Sequence, residues 1–556
     1  MRFLYIFLAL ILPVKVFSQS ANAPLNRDYY HLIDRYEIMS GQFSNTFHTS
    51  VKPIRREMIG EFLDSLDMKN MNASGVDRFN FEYLAIDNWS FTSMDSSDSR
   101  KSILKYFYRK KNDFFYVMEE NFEFHLNPVF HFSGGMEKDQ DVTTYINTRG
   151  LEASGIIANR IGYYTFAATT QAAFPSYTRD WINRYLVVPG EGFWKRHNVD
   201  GVDFFTARGY ISFNVVDQIN IQFGFDKEFR GNGHRSMILS DFSSNYTFLK
   251  FNTKVWKFNY SNLFTQMYAD AYGSTISGST GGAYPRKFMA HHHLSFNVTK
   301  NLNIGLFENV IIGDSTERFN IGYLNPMIFY RAFEHQEGSG DNIMIGLDFK
   351  WNFLRHFSWY GSFLLDEFLL SEVKEGNGWW ANKYGLQTGI KYIDIFGLQN
   401  LDLTIEYNES RPYTFAHIDM YGNYAHYGQP LAHPTGANFR EILTILRYQP
   451  LDRLTFVGKF IYSNYGEDDE NSNWGKNVLL SYVSREKEYG NYIGQGYPTD
   501  LVYIDLITTY QLKHNVFFDL VFQYRNVNSE YAPHSGNSVH TSAGFRWNIP
   551  KRDQDF

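Results

Sequence analysis

The chain reads as an all-β protein, an antiparallel transmembrane β-barrel of about 18 strands with a small N-terminal helical periplasmic segment. Three observations predict this. Aromatic residues make up 18% of 556 residues, with 40 Tyr and 51 Phe. That suits a sheet whose outer face meets lipid and headgroups. From about residue 113 onward apolar and polar residues alternate, the period of a strand. Short turns such as Val216-Asp217-Gln218 and Thr299-Lys300-Asn301-Leu302 also alternate with much longer connections, the asymmetry of an outer-membrane barrel. The mean hydropathy of −0.37 argues against a helical membrane protein and suits a barrel, in which each apolar face is offset by a polar one.

The first 18 residues have the pattern of a Sec signal peptide. Arg2 supplies the positive start, Phe3 to Val14 the apolar stretch, and Val16-Phe17-Ser18 a small-residue site, with cleavage after Ser18 leaving Gln19 first. The apolar run is too short for the ~20 residues of a spanning helix. The chain contains no Cys, which excludes a lipid-anchoring cysteine, disulfides, a thiol nucleophile and zinc–cysteine sites. The formal charge is −7; losing Arg2 and Lys15 leaves 50 basic and 59 acidic residues, or −9. No basic block stands out, so nucleic acid is not an expected partner.

Residues 19–112 read as the mostly helical segment, placed on the periplasmic side. Leu25 to Tyr36 suits a short helix. Pro53 suits the first turn of another, with Ile59, Phe62, Leu63 and Leu66 on one face, and Gly75 to Leu84 suits a third. Residues 113–556 read as the barrel. In Asn121-Phe-Glu-Phe-His-Leu126, Phe122, Phe124 and Leu126 share one face. In Leu401-Asp-Leu-Thr-Ile-Glu-Tyr-Asn408, the leucines, Ile405 and Tyr407 point out, and Asp402, Thr404, Glu406 and Asn408 point in. Nineteen segments satisfy the pattern, 476–485 among them. Single-chain bacterial barrels close with even strand numbers, so one of the nineteen is expected to be false.

Three loop segments are dense in polar and aromatic residues. Residues 224–241 contain Arg230, Gly231, Gly233 and Arg235 but no Gly-Lys-Ser/Thr, which excludes a Walker phosphate loop; a loop folded back into the barrel mouth is expected. Residues 323–342 contain Asn325, Pro326, Arg331, Asp341 and Asn342, suited to plugging the lumen through ion pairs. Residues 411–438 contain Arg411, His417, His426 and His433, whose spacing matches no compact metal motif. These histidines, like His291-His292-His293, fit a hydrogen-bonded interior better than a metal site, and no cofactor is expected. No Gly-x-Ser-x-Gly elbow is present, and no nucleophile is placed beside a base, so an enzyme is not expected. Trp194, Arg196, Trp379 and Trp380 lie in other outer loops. Trp rings stack on sugar C–H faces, while interfacial belts use Trp as well.

The chain resembles the capsule-assembly Wzi family, in the form found in Bacteroidota, whose members include gliding-motility proteins. The resemblance rests on His31-Leu-Ile-Asp-Arg-Tyr-Glu-Ile38, His48-Thr-Ser-Val-Lys-Pro53, Arg230-Gly-Asn-Gly-His-Arg-Ser-Met-Ile-Leu-Ser-Asp241 and Leu324-Asn-Pro326. It continues through Asp341-Asn342, Phe363-Leu-Leu-Asp-Glu367, Arg411-Pro-Tyr413 and Gln429-Pro-Leu-Ala-His-Pro434. It implies an eighteen-stranded barrel with a helical periplasmic bundle, a closed lumen and a lectin-like outer face holding capsular or surface polysaccharide. The expected partners are that polysaccharide, outer-membrane lipid and envelope proteins. Two other readings fit the sequence: an adaptor barrel for gliding motility or protein secretion, and a diffusion channel.

Overall fold

The computed structural model describes residues 20–94, 97–99, 105–138, 140, 143–269, 285–313, 321–325, 340–419 and 421–556. The expected signal peptide, 1–18, lies outside the described residues. Eighteen strands form the wall. They run β1 (Phe122–Glu137), β2 (Thr143–Ile157), β3 (Ile161–Ala173), β4 (Gly201–Val216), β5 (Ile219–Asp226) and β6 (Tyr246–Val255). Next come β7 (Phe258–Tyr268), β8 (Arg286–Asn297), β9 (Leu302–Ile312), β10 (Asn342–Phe353), β11 (Phe357–Leu365) and β12 (Tyr384–Tyr392). The last six are β13 (Leu401–Ser410), β14 (Phe439–Leu451), β15 (Leu454–Glu467), β16 (Tyr497–Lys513), β17 (Val516–Ser529) and β18 (Gly536–Trp547). Every neighbour pair is antiparallel, and β18 closes on β1 from His540↔Glu137 to Trp547↔Phe130.

Closure requires alternation, because each strand offers one face to lipid and the other to the lumen. On β13, Asp402, Glu406 and Asn408 are buried in the lumen while Ile405 is 41% exposed outside. On β14, Glu441 and Leu443 are buried and Ile442 and Leu446 are exposed. Outward rings stack near the short turns: Phe258 on Phe296, Phe353 on Phe357, and Phe357 on Tyr392, as an interfacial aromatic belt does. Leu446 lies near the middle of its strand between Leu403 and Gly458. Leu446→Arg is expected to cost about 2–4 kcal/mol, the penalty of a cation at the bilayer midplane. Urea titration of the protein refolded into lipid vesicles measures it.

The nineteenth segment, 476–485, is not a strand. It is loop with a single 3-10 turn at Tyr482–Ser484, and Val478 turns into the lumen core. Its apolar residues pack a loop inward rather than alternating on a wall.

Three helices lie across the short-turn end: α1 (Arg27–Ser40), α2 (Arg56–Ser65) and α3 (Gly75–Asp87). Asn26 caps α1 by accepting the Asp28 N–H, and Gly41 ends it in left-handed backbone. Ser74 and Asp77 form a reciprocal capping box on α3. Pro53 is not in the first turn of α2, which begins at Arg56. The residues before it, Val51–Lys52, are drawn into pairing with Phe229–Arg230 from inside the barrel. The helices share a core of Tyr30, Ile33, Tyr36, Phe62, Leu63 and Leu84, which also takes in Ile393 from a barrel turn. Polar contacts bind them to other turns. Asn80 donates to Gln449 at 2.8 Å, Tyr83 to Asn515 at 2.6 Å, and the Phe43 N–H to the Lys300 carbonyl at 2.8 Å.

The lumen is packed. Wall residues Phe248, Leu263, Phe307 and Tyr503 form one core with Met237, Ile238 and Leu239 of the β5–β6 loop and Phe415, Tyr424 and Leu431 of the β13–β14 loop. A further strap comes from residues 548–556. It leaves β18 at the short-turn end, where Asn548 donates to the Pro128 carbonyl. It climbs inside to the loop end, where the Phe556 ring meets Trp181 of α4 (Ser176–Tyr185) at 4.9 Å.

Candidate functional site

Two regions gather polar chemistry, the lumen plug and a cluster on the outer loops. The plug is organised by the β5–β6 loop. Gly233 sits where a Cβ would lie 2.4 Å from a Glu406 carboxylate oxygen, so only glycine lets the backbone approach. Glu406 then accepts the N–H groups of His234 at 2.8 Å and Arg235 at 3.0 Å and the Tyr360 hydroxyl at 2.8 Å. Gly231 takes φ +128°, and its N–H donates to the Ser50 carbonyl. The Arg235 guanidinium reaches Glu441 at 3.2 Å and Asp555 at 2.9 Å. His433 adds a 3.0 Å contact to Glu441, and Lys459 one of 2.5 Å to Asp555. Arg230 is fully buried. It donates to Glu228 at 2.9 Å, to the Lys52 carbonyl at 3.0 Å and to Ser261 at 3.2 Å. Lys250 shares Glu228 at 2.8 Å. Burial of this kind is tolerable only because each charge has an opposite partner and further hydrogen bonds.

His426 joins a second loop to the wall. Its Nδ1 accepts the Tyr268 N–H at 3.1 Å and its Nε2 donates to the Asn245 carbonyl at 3.0 Å. Asn342 donates to the Gly422 carbonyl at 2.9 Å, and Asp341 accepts the Tyr323 hydroxyl. Asn325 is exposed, on a turn whose Tyr323 packs against outward-facing Phe264, Ala290 and Val310 rather than in the lumen. That row is apolar and offers the ring more contact than the charged interior. Pro326 and Arg331 lie outside the described residues. On β8, His291 contacts Asn309 and His293 contacts Asp348 at 2.6 Å, both inside the barrel, while His292 points outward to Asn262.

The outer cluster lies in the β11–β12 and β15–β16 loops, which are clasped by backbone bonds. The Gly490 N–H donates to the Asn377 carbonyl and the Asn491 N–H to the Gly378 carbonyl, each at 2.9 Å. Gly378 has φ +70° and leaves no room for a Cβ beside Asn491. Trp380 is the buried base of the cluster. Tyr482 lies 4.7 Å from its ring, Tyr413 6.3 Å, and the Arg485 guanidinium sits 4.4 Å over its face. Both indole N–H groups donate to Glu488, Trp380 at 3.0 Å and Trp379 at 3.3 Å. Arg411 donates to the Asn491 carbonyl at 3.2 Å and the Trp379 carbonyl at 3.4 Å. Trp379 is half-buried, and Tyr489 and Tyr492 on the clasped loop are 50% and 61% exposed.

Trp194 packs instead beside the α4 core, its indole donating to the Leu186 carbonyl at 3.1 Å. Arg196 is exposed and donates to the Val199 carbonyl. Among the described residues no hydrogen bond or ring contact joins this pair to Trp379 and Trp380. Sequence reasoning missed Tyr482 and Arg485, which the expected strand 476–485 hid, and Glu488 just beyond it. The run Arg485-Glu-Lys-Glu-Tyr-Gly-Asn-Tyr492, polar with two tyrosines, was the available signal.

Comparison with solved structures places the fold. Wzi from Escherichia coli, described as an outer-membrane protein involved in group 1 capsule assembly and a carbohydrate-binding β-barrel, aligns with TM-score 0.58 at 15% identity, over 96% of this chain and 100% of that one. OprD from Pseudomonas aeruginosa aligns with TM-score 0.42 at 10% identity, over 76% and 94%. OccAB4 from Acinetobacter baumannii gives 0.41 at 9% identity, over 77% and 98%. No curated protein matches the chain. The family model for capsule assembly protein Wzi matches residues 106–476, about two thirds of the chain, and this outer-membrane barrel therefore belongs to the Wzi capsule assembly family.

Proposed function

We propose that the protein is a non-enzymatic barrel that attaches, or helps to assemble, polysaccharide at the cell surface. On this reading the short-turn end and its helices face the periplasm and the long loops face out. The observation that carries the reading is the clasped outer cluster. A rigid Trp380–Tyr482–Arg485 base supports the partly open Trp379, Tyr489 and Tyr492 rings. Aromatic faces held rigidly give contact area at low entropic cost, and Arg411 and Glu488 supply donors and acceptors for hydroxyls. The E. coli relative, described as carbohydrate binding, supports the same reading. A packed lumen gives a diffusion channel no support.

Trp379→Ala is expected to weaken binding of the native surface polysaccharide at least tenfold, the loss of one central aromatic anchor, ~1.4 kcal/mol or more. It should leave the barrel folded. Surface plasmon resonance on purified polymer measures this. In cells, a deletion strain should release polysaccharide to the medium, and a strain with normal cell-bound polymer would sink the proposal.

A further inference from the structure

The packed lumen retains a chamber of about 220 Å³, bounded by the β5–β6 loop, residues 189–191, the wall of β4 and the strap 548–556. Its charges do not balance locally. Glu191 accepts from Arg552 at 2.9 Å and from the Thr206 hydroxyl at 2.9 Å. Of the other cations that line the same space, two have no ion pair among the described residues. Lys227 donates only to carbonyls, those of Gly190 and Asp241. Arg208 projects inward from β4 and lies over the Phe166 ring at 4.6 Å. Its Nε has no hydrogen-bond partner, and among the described residues neither Arg208 nor Lys227 has a carboxylate within salt-bridge distance. Arg552, Lys227 and Arg208 all act on Glu191, while Asp28, Asp241, Asp553 and Asp555 line the same space with cation partners of their own. Asp226 and Glu152 lie near Arg208 beyond ion-pair range, and Asp241 is bound to Arg27 at 3.1 Å.

The titration of the loop groups agrees. Burial pushes the Lys227 ammonium down to about 8, with Glu191 and Asp241 opposing and Arg208 and Arg552 pushing the same way. Burial pushes the Glu191 carboxyl up, but Arg552, Lys227 and Arg208 together hold it below its usual range.

We propose that the chamber is an oxyanion site, taking the carboxylate or phosphate of a small ligand between Arg208 and Lys227. Charge-assisted bonds from a guanidinium fork and an ammonium are the strongest donors a side chain offers an oxyanion. The volume lies below the ~300 Å³ of drug-sized pockets, which limits the ligand to a free anion or a single acidic sugar. The site is separate from the outer-loop cluster and stands whether or not that cluster binds glycan.

The test uses the full chain in detergent micelles, titrated calorimetrically with inorganic phosphate and, separately, with D-glucuronate. Glucose and NaCl at matched ionic strength are the controls. Saturable one-to-one binding of at least one anion is expected, and the tighter of the two identifies the source of the oxyanion. The Arg208→Gln/Lys227→Gln pair should weaken it at least tenfold, and Trp379→Ala should leave it unchanged. Arg208→Lys, which keeps the charge and loses the fork, should weaken it by less than the pair does and guards against misfolding of the double variant. No saturable binding of either anion, an equal response to NaCl, or wild-type affinity in a folded double variant would overturn the site.

Discussion

Arg235→Ala is expected to destabilise the barrel by about 3–5 kcal/mol, the cost of leaving buried charges without their partner. Arg235 is 4% exposed and faces Glu441 and Asp555 at once. Without it, Glu441 keeps His433 and Asn408, and Asp555 keeps His234 and Lys459. Neither set replaces a guanidinium that reaches both carboxylates. Arg235→Met should be no milder, because the penalty lies with the carboxylates and not with lost packing. Adding Glu441→Gln should recover part of it, since a neutral amide tolerates burial better. The midpoint of urea unfolding in detergent is the readout. A loss under about 1 kcal/mol, typical of exposed pairs, would mean that water reaches this network freely.

Arg35→Ala should release the helical segment while leaving the wall intact. Arg35 is 2% exposed and donates to Asp77 at 2.8 Å, to Asp394 at 2.8 Å and to Asp402 at 2.5 Å. It joins α1 to α3 and to the β12–β13 turn. Its removal leaves three carboxylates facing one another across a buried gap, for a loss of about 3–5 kcal/mol. Because ~1.4 kcal/mol is tenfold in an equilibrium, local opening should rise by about a hundredfold or more. Limited proteolysis should then cut residues 20–94 faster by that factor while the barrel keeps its folded mobility in cold detergent gels. Simultaneous loss of the barrel would mean that the helices and the wall unfold as one unit.

Much of the wall was legible in the sequence because a strand's two faces are written two residues apart. Leu403, Ile405 and Tyr407 against Asp402, Glu406 and Asn408 gave the orientation of β13 without further information. The same rule failed at 476–485, where Val478 and Leu479 are apolar for the sake of a loop packed inward. The plug was legible as a place and not as a set of contacts. Arg235 could be marked as a lumen residue, but its partners Glu441 and Asp555 lie more than 200 residues away, and no local pattern connects them. Residues 548–556 carry no periodicity at all, so nothing pointed to a strap inside the barrel. Around Trp380, the aromatic content was visible, while the clasp depends on Gly378 and Asn491 meeting across 113 positions.

The strap has a consequence for the order of assembly. The seam between β1 and β18 joins residues 130–137 to 540–547, and residues 548–556 follow that seam directly into the interior. Once the seam has zipped, an extended peptide bearing Asp553, Asp555 and Phe556 would have to thread through a filled core. The peptide must therefore be laid against Arg235 and Lys459 before or while the ring shuts. Contacts this distant along the chain are the slowest to form. Closing this seam thus seals inside the molecule the very residues that neutralise its interior charges.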